Sequence, residues 1–166
     1  MSAWRHWALA PPWLAALLLT GCGSAPAPRD YVPMAVRFHL ESTGGEGVPF
    51  TLPRSGVAVG LNPRPVLTEA DVANVELVQV DLGRCLMFQL TPAATRDFYR
   101  LSVTHQGRRL ALLLDGAAAG VRRIDGAIAD GVVYMFLERP DETLPGLVEN
   151  LKKSTAAVQR EIARKK

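Results

Sequence analysis

Apolar and polar side chains alternate from residue 32 to residue 41. Val32, Met34, Val36, Phe38 and Leu40 fall on one side, and Arg37, His39 and Glu41 on the other. A period of two with one apolar face predicts a half-buried strand. Ser42 to Gly47 is a glycine-rich loop. Val57, Val59 and Leu61 alternate with Ala58 and Gly60, which predicts a second, short strand. Asn62-Pro63-Arg64-Pro65 ends it, because two prolines cannot both sit inside a ladder. Thr68-Glu69-Ala70-Asp71 has the form of a capping box and predicts a helix. That helix has to be short, because Val75 to Val80 is β-branched and strand-like.

The stretch from Arg84 to Gly116 carries the clearest signals. Asp81 to Arg84 is a turn, and Cys85 to Leu90 is a strand with Leu86, Phe88 and Leu90 on one face, so the two strands around it form a hairpin. Thr91-Pro92 starts a helix, with Thr91 as N-cap and Pro92 at the first helical position, where its missing amide costs nothing. Ala94, Phe98, Leu101 and Ser102 share one helical face. Gly107 stops the helix in a left-handed geometry. Leu110 to Leu114 is apolar on both faces, the mark of a central strand covered by helix on at least one side. Asp115-Gly116, Asp125-Gly126 and Asp130-Gly131 are turns. They bracket a weak strand near 119–124 and a strong one at 132–137. Leu144, Leu147, Val148, Leu151, Val158 and Ile162 then recur at helical spacing over 143–164. Its early turns cover a sheet face, and its basic end projects into solvent.

These elements predict an α+β fold in a single domain spanning 31–166. A mixed or mostly antiparallel sheet carries two main helices packed on one face. The charge balance adds little to this picture: 19 Lys and Arg stand against 16 Asp and Glu. The charges are scattered, so the basic balance does not indicate a nucleic-acid partner. The one cluster is Lys152-Lys153 with Arg160, Arg164, Lys165 and Lys166.

The first residues change the picture more. Arg5 precedes an apolar run, Ala8 to Leu19, that is too short for an ordinary membrane span. Leu19-Thr20-Gly21-Cys22 then resembles a bacterial lipoprotein box. The resemblance implies that residues 1–21 are a signal peptide, cleaved before Cys22, and that Cys22 is lipidated. Acyl chains hold a protein to a bilayer at roughly 0.8 kcal/mol per buried CH2. Residues 22–30 follow as a tether rich in proline and small residues. Gly23 occupies the position where aspartate retains such proteins in the inner membrane, which points to the outer membrane. The domain then faces the periplasm. With Cys22 lipidated, Cys85 has no partner for a disulfide and is expected to be a buried, inert thiol.

Leu90-Thr91-Pro92, Phe98, Leu101-Ser102, Gly107-Arg108, Leu110-Ala111, Asp115-Gly116, Ile128 and Gly131 follow one another in a recognisable order. Val66-Leu67-Thr68 with Asp71 precedes them. The pattern, over about 65–150, resembles the head subdomain of the first periplasmic domain of SecD, a subunit of the protein-export translocase. Arg122 stands where that family usually has proline. The resemblance implies a shared fold and, by analogy, contact with polypeptides. The matching residues are caps, turns and core, so it carries fold more than activity.

Candidate chemistry is sparse. Asp97, Ser102 and His105 share a helix, but no nucleophile elbow accompanies them. Asp115, Asp125 and Asp130 lack the dense oxygen spacing of a calcium loop. His39 is solitary, and Gly44-Gly45-Glu46-Gly47 is not followed by the lysine of a phosphate-binding loop. The reading is of a non-enzymatic binding or accessory module, with no catalytic residue, no metal site and no cofactor. It is held to the membrane through lipid on Cys22 and meets a protein partner in the envelope. A small hydrolase with an unrecognised site, and a structural spacer in an envelope complex, stand as alternatives.

Overall fold

The computed structural model describes residues 30–165. The signal segment, Cys22 and Lys166 lie outside the described residues. Nine strands and two helices follow in the order β1 (Val36–Leu40), β2 (Val48–Thr51), β3 (Ala58–Leu61), β4 (Leu67–Thr68), β5 (Val72–Val80), β6 (Gly83–Leu90), α1 (Pro92–Thr104), β7 (Arg109–Leu114), β8 (Ala117–Arg123), β9 (Val132–Met135) and α2 (Leu144–Arg164). The fold is α+β with every strand pair antiparallel. The strands divide into three sheets, ordered β4-β1-β7-β8, β2-β3 and β5-β6-β9.

One core joins the larger two sheets to both helices. Val36, Phe38 and Leu40 of β1 meet Leu110, Leu112 and Leu114 of β7 on the four-stranded side. Val75, Leu86, Phe88 and Val133 come from the three-stranded side, with Phe98 from α1 and Leu147 and Leu151 from α2. Phe38 and Phe88 meet edge to face across the two sheets, with ring centroids 5.1 Å apart. The alternation that defines β1 holds from Val36; Val32 lies outside the strand and is 66% exposed.

The signals around α1 are realised in detail. The Thr91 hydroxyl accepts from the Ala94 amide at 3.3 Å. Gly107 has φ +83°, and the chain turns there into β7. Asp115 (φ +50°) and Gly116 (φ +79°) both sit in the left-handed region, the geometry of a type I′ hairpin turn between β7 and β8. Asp115 also accepts from the Ala35 amide at 2.7 Å, which fixes the start of β1 beside the turn.

Two points differ from expectation. The Thr68–Asp71 motif opens no helix: β4 ends at Thr68, the chain turns, and β5 starts at Val72. Half of the capping box does form, since the Asp71 carboxylate accepts from the Thr68 amide and hydroxyl at 2.8 and 3.0 Å. The β-branched residues that follow pair with β6 instead of coiling. Secondly, Val48–Thr51 is an additional strand, paired with β3. The helix cover expected for β7 lies on its core face, where both helices share its cluster, and the β2–β3 hairpin covers the outer face through a second apolar cluster of Phe50, Leu52, Val59, Leu61 and Ala111.

The far end of α2 is held by a residue expected on its polar face. The Gln159 side-chain amide donates to the carbonyls of Ala70 and Val72 at 2.9 and 2.8 Å. The N-terminal segment lies along the same helix. The Met34 amide donates to Ser154 Oγ at 3.0 Å, and Lys153 Nζ meets the Asp30 carboxylate at 2.8 Å.

Candidate functional site

The polar residues singled out from the sequence are taken up by structure. Ser102 is buried; its hydroxyl donates to the Tyr99 carbonyl and accepts from the Ile128 amide, both at 2.9 Å. It ties the 124–131 connector to α1 and has no role left as a nucleophile. His105 Nδ1 donates to the Leu101 carbonyl at 2.9 Å, alongside the His105 backbone amide at 3.0 Å. Asp97 is exposed on the same helix. Asp130 accepts from the Val132 amide at 3.0 Å, and Asp125 lies 4.0 Å from Arg123. Among the described residues no three His, Cys, Asp or Glu side chains gather as a cation site. Cys85 is fully buried, and burial pushes its thiol pKa up, which keeps it protonated and unreactive.

A concavity with a volume of about 270 Å3 forms a slot under the β2–β3 hairpin. Phe50 and Leu61 form one wall, Leu113 and Ala118 of the four-stranded sheet the other, and Val48 stands half-exposed at the rim. The local sequence makes the lid. Phe50 and Leu52 alternate with exposed Pro49 and Thr51, and Pro49 lacks an amide, which suits the edge position of β2. His39 borders the slot with Nδ1 bound to the Asn62 carbonyl at 2.9 Å, so the rim offers few free polar groups. A space of this size falls below the roughly 300–1000 Å3 of pockets for drug-sized ligands. It suits one apolar side chain.

A carboxylate closes the tip of the lid. Glu138 accepts from the amides of Arg54 and Ser55 at 2.8 and 3.1 Å. The Ser55 hydroxyl, the two amides and the charge of Arg54 hold its pKa below the usual value. At the other end, Glu41 binds Arg109 through both of its oxygens at 2.7 to 3.1 Å, joining β1 to β7 where the chain leaves for the hairpin. That pairing lowers the Glu41 pKa. Sequence reading missed the slot because β1, β2, β3, β7 and β8 build it together. The one available signal was the alternation of Val48, Phe50 and Leu52.

A second surface lies at the tip of the β5–β6 hairpin. Leu82 is 84% exposed there. It borders a cleft with Arg122, Arg123, Asp81, Asp125 and the exposed rings of Tyr134 and Phe136. Arg122 crosses to β9 and donates to the Tyr134 carbonyl at 3.2 Å.

No protein-family model matches the chain, and no curated protein matches it in sequence. Solved structures of SecDF do match in three dimensions. One, described as a membrane component that enhances protein export, superposes with a TM-score of 0.58 at 21% identity, over 72% of this chain and 62% of that one. SecDF in a super-membrane-facing form gives 0.57 at 21% identity, over 71% of this chain and 18% of the other. The Thermus thermophilus protein, a translocon-associated membrane protein, gives 0.51 at 20% identity, over 75% and 20%. The chain thus spans less than two thirds of the first matched chain and about a fifth of the others. At this level of identity the likeness is one of fold: the chain shares its fold with part of SecDF.

Proposed function

We propose that the protein is a non-enzymatic accessory module of the bacterial envelope, lipid-anchored through Cys22 and facing the periplasm, that contacts polypeptides. The observation that carries this reading is the fold: a protein that enhances export shares it over 72% of the chain. The slot beneath the β2–β3 hairpin supports it, as a seat for one apolar side chain of an extended polypeptide. The lipoprotein box supports the anchor, and Gly23 after Cys22 favours the outer membrane. A photoreactive side chain in place of Val48, which is exposed at the rim, is expected to crosslink to secreted polypeptides in cells. Recovery of no polypeptide adduct from that position defeats the contact reading. The anchor has its own readout: Cys22→Ala is expected to abolish labelling by palmitate, and persistent labelling rules out Cys22 as the acceptor.

A further inference from the structure

We infer that the β5–β6 tip docks on the bilayer surface, with Leu82, Tyr134 and Phe136 entering the interface and Arg84, Arg122 and Arg123 meeting anionic phospholipid headgroups. The inference rests on the lipid anchoring proposed above and specifies how the domain stands on the membrane.

Composition carries the first part. A water-soluble surface rarely groups an aliphatic tip with two exposed aromatic rings. Here Leu82 is 84%, Tyr134 39% and Phe136 38% exposed, and all three border one cleft. Tyrosine and other aromatic rings favour the headgroup level of a bilayer, and arginine favours its anionic face. The guanidinium of Arg122 binds only backbone carbonyls, and among the described residues it forms no ion pair. Arg123 has one loose contact with Asp125, at 4.0 Å. Arg84 is exposed on the same hairpin. Asp81 and Asp125 share the cleft and moderate its charge, so the contact is an apolar insertion assisted by cations rather than a purely electrostatic one.

Reach carries the second part. Lys153 holds Asp30, and Glu149, one turn before Lys153, shares a groove with Glu76 and Leu77 of β5. Lys153 lies one turn nearer the Gln159 end, so Asp30 is level with about Asn74 to Glu76. Six to eight residues separate that stretch from Leu82, about 20–26 Å along a strand. Eight residues separate Cys22 from Asp30, and a chain of that length spans at most about 28 Å. An anchor at Cys22 therefore lets Leu82 touch the same bilayer. Tethering also raises the effective concentration of the patch at the surface to about the millimolar range, so a weak insertion suffices.

The basic end of α2 is the rival contact. Gln159 binds beside Val72, ten residues and about 33 Å from Leu82 along β5. Lys165 there is paired with Glu161 at 2.8 Å, and α2 carries none of the large exposed apolar side chains found among the described residues. The β5–β6 tip has both ingredients, and that end has one.

All three tryptophans lie within residues 1–21, at 4, 7 and 13, so a mature chain has none and a single substitution gives a clean reporter. The acylated Leu82→Trp chain is reconstituted in vesicles of phosphatidylethanolamine and phosphatidylglycerol that contain brominated acyl chains. Blue-shifted emission and quenching several-fold above that of Arg164→Trp are expected. Adding Arg122→Glu and Arg123→Glu is expected to cut the quenching at least threefold. An unquenched Trp at 82, or stronger quenching at 164, overturns the docking while leaving the anchor intact. Crosslinking of the tip to a protein without quenching assigns the patch to that partner and overturns it as well. If Cys22 proves unacylated, the Leu82→Trp chain beginning at residue 22 is added to these vesicles at millimolar lipid. Quenching there supports the patch without the anchor, and its absence overturns it.

Discussion

The two faces of β7 are covered in different ways, and the contrast organises the molecule. Leu110, Leu112 and Leu114 point into the core that both larger sheets and both helices share, and each is at most 1% exposed. Ala111 and Leu113 point the other way, beside Ala118 and Val121 of β8, under the β2–β3 hairpin. The first face is closed by segments distant in sequence that reinforce one another. The second is closed by one local hairpin, fastened near its base by the Asn62 amide on the Leu40 carbonyl and the Ser42 amide on the Gly60 carbonyl, and at its tip by Glu138. An apolar strand announces that both faces are covered. It does not announce that one cover is the body of the domain and the other a two-stranded flap. Only the flap side leaves room for a slot.

That contrast breaks first on the body side. Leu112→Ala is expected to destabilise the whole domain by about 2–5 kcal/mol, as deletions in a core with no room to collapse do. Urea unfolding followed by circular dichroism measures it, and a loss well below 1 kcal/mol would remove the distinction. Phe50→Ala deletes a comparable side chain on the flap side. Its cost is limited by the free energy that holds the flap down, because the flap can open while the body stays folded. Amide exchange is expected to quicken across 48–61 and to stay slow in β5 and β6; uniform acceleration means that the flap and body unfold as one. The smallest effect is expected from Glu138. Its carboxyl pKa is held below that of an ordinary glutamate, so its contribution is fully present above the ordinary value and fades as pH falls through the lowered one. The Arg54 and Ser55 amides should lose protection on acidification, and Glu138→Gln should flatten that pH dependence. Amide shifts that follow the same acid titration in Glu138→Gln dismiss the latch.

Local chemistry made part of this legible in the sequence. Thr91, Pro92 and Gly107 mark both ends of α1 because caps act within one turn of the residues they serve. The body face of β1, with Val36, Phe38 and Leu40, follows from period two. Thr68 and Asp71 misled for a physical reason. Their side chains bond as in a helix start, but the next residues are Val72 to Val80, whose pairing with β6 decides the outcome. The Asp71 carbonyl instead accepts from the Thr91 amide at 2.8 Å, so the failed helix start steadies the real one. The second strand of the flap was legible, but β2 escaped notice because it has four residues, one of them proline, between glycine-rich and turn segments. The slot and the Leu82 patch are long-range products: no window of sequence holds Val48 with Leu113, or Leu82 with Phe136. Cys22, the residue with the sharpest sequence signal, lies outside the described residues.

The segment from Asp30 to Ala35 has a mechanical consequence. An anchored domain is pulled at its N-terminus whenever something draws it away from the membrane. The first bonds to bear that load are the exposed Asp30–Lys153 pair and the Val32 and Met34 amides on Asn150 and Ser154. These give way one at a time, like a short zip along α2. Beyond them the force reaches β1, which lies between β4 and β7 in the four-stranded sheet and must be sheared from both at once. Under the proposed anchoring at Cys22, the leash would lengthen by a few residues under tension before the core bears any load.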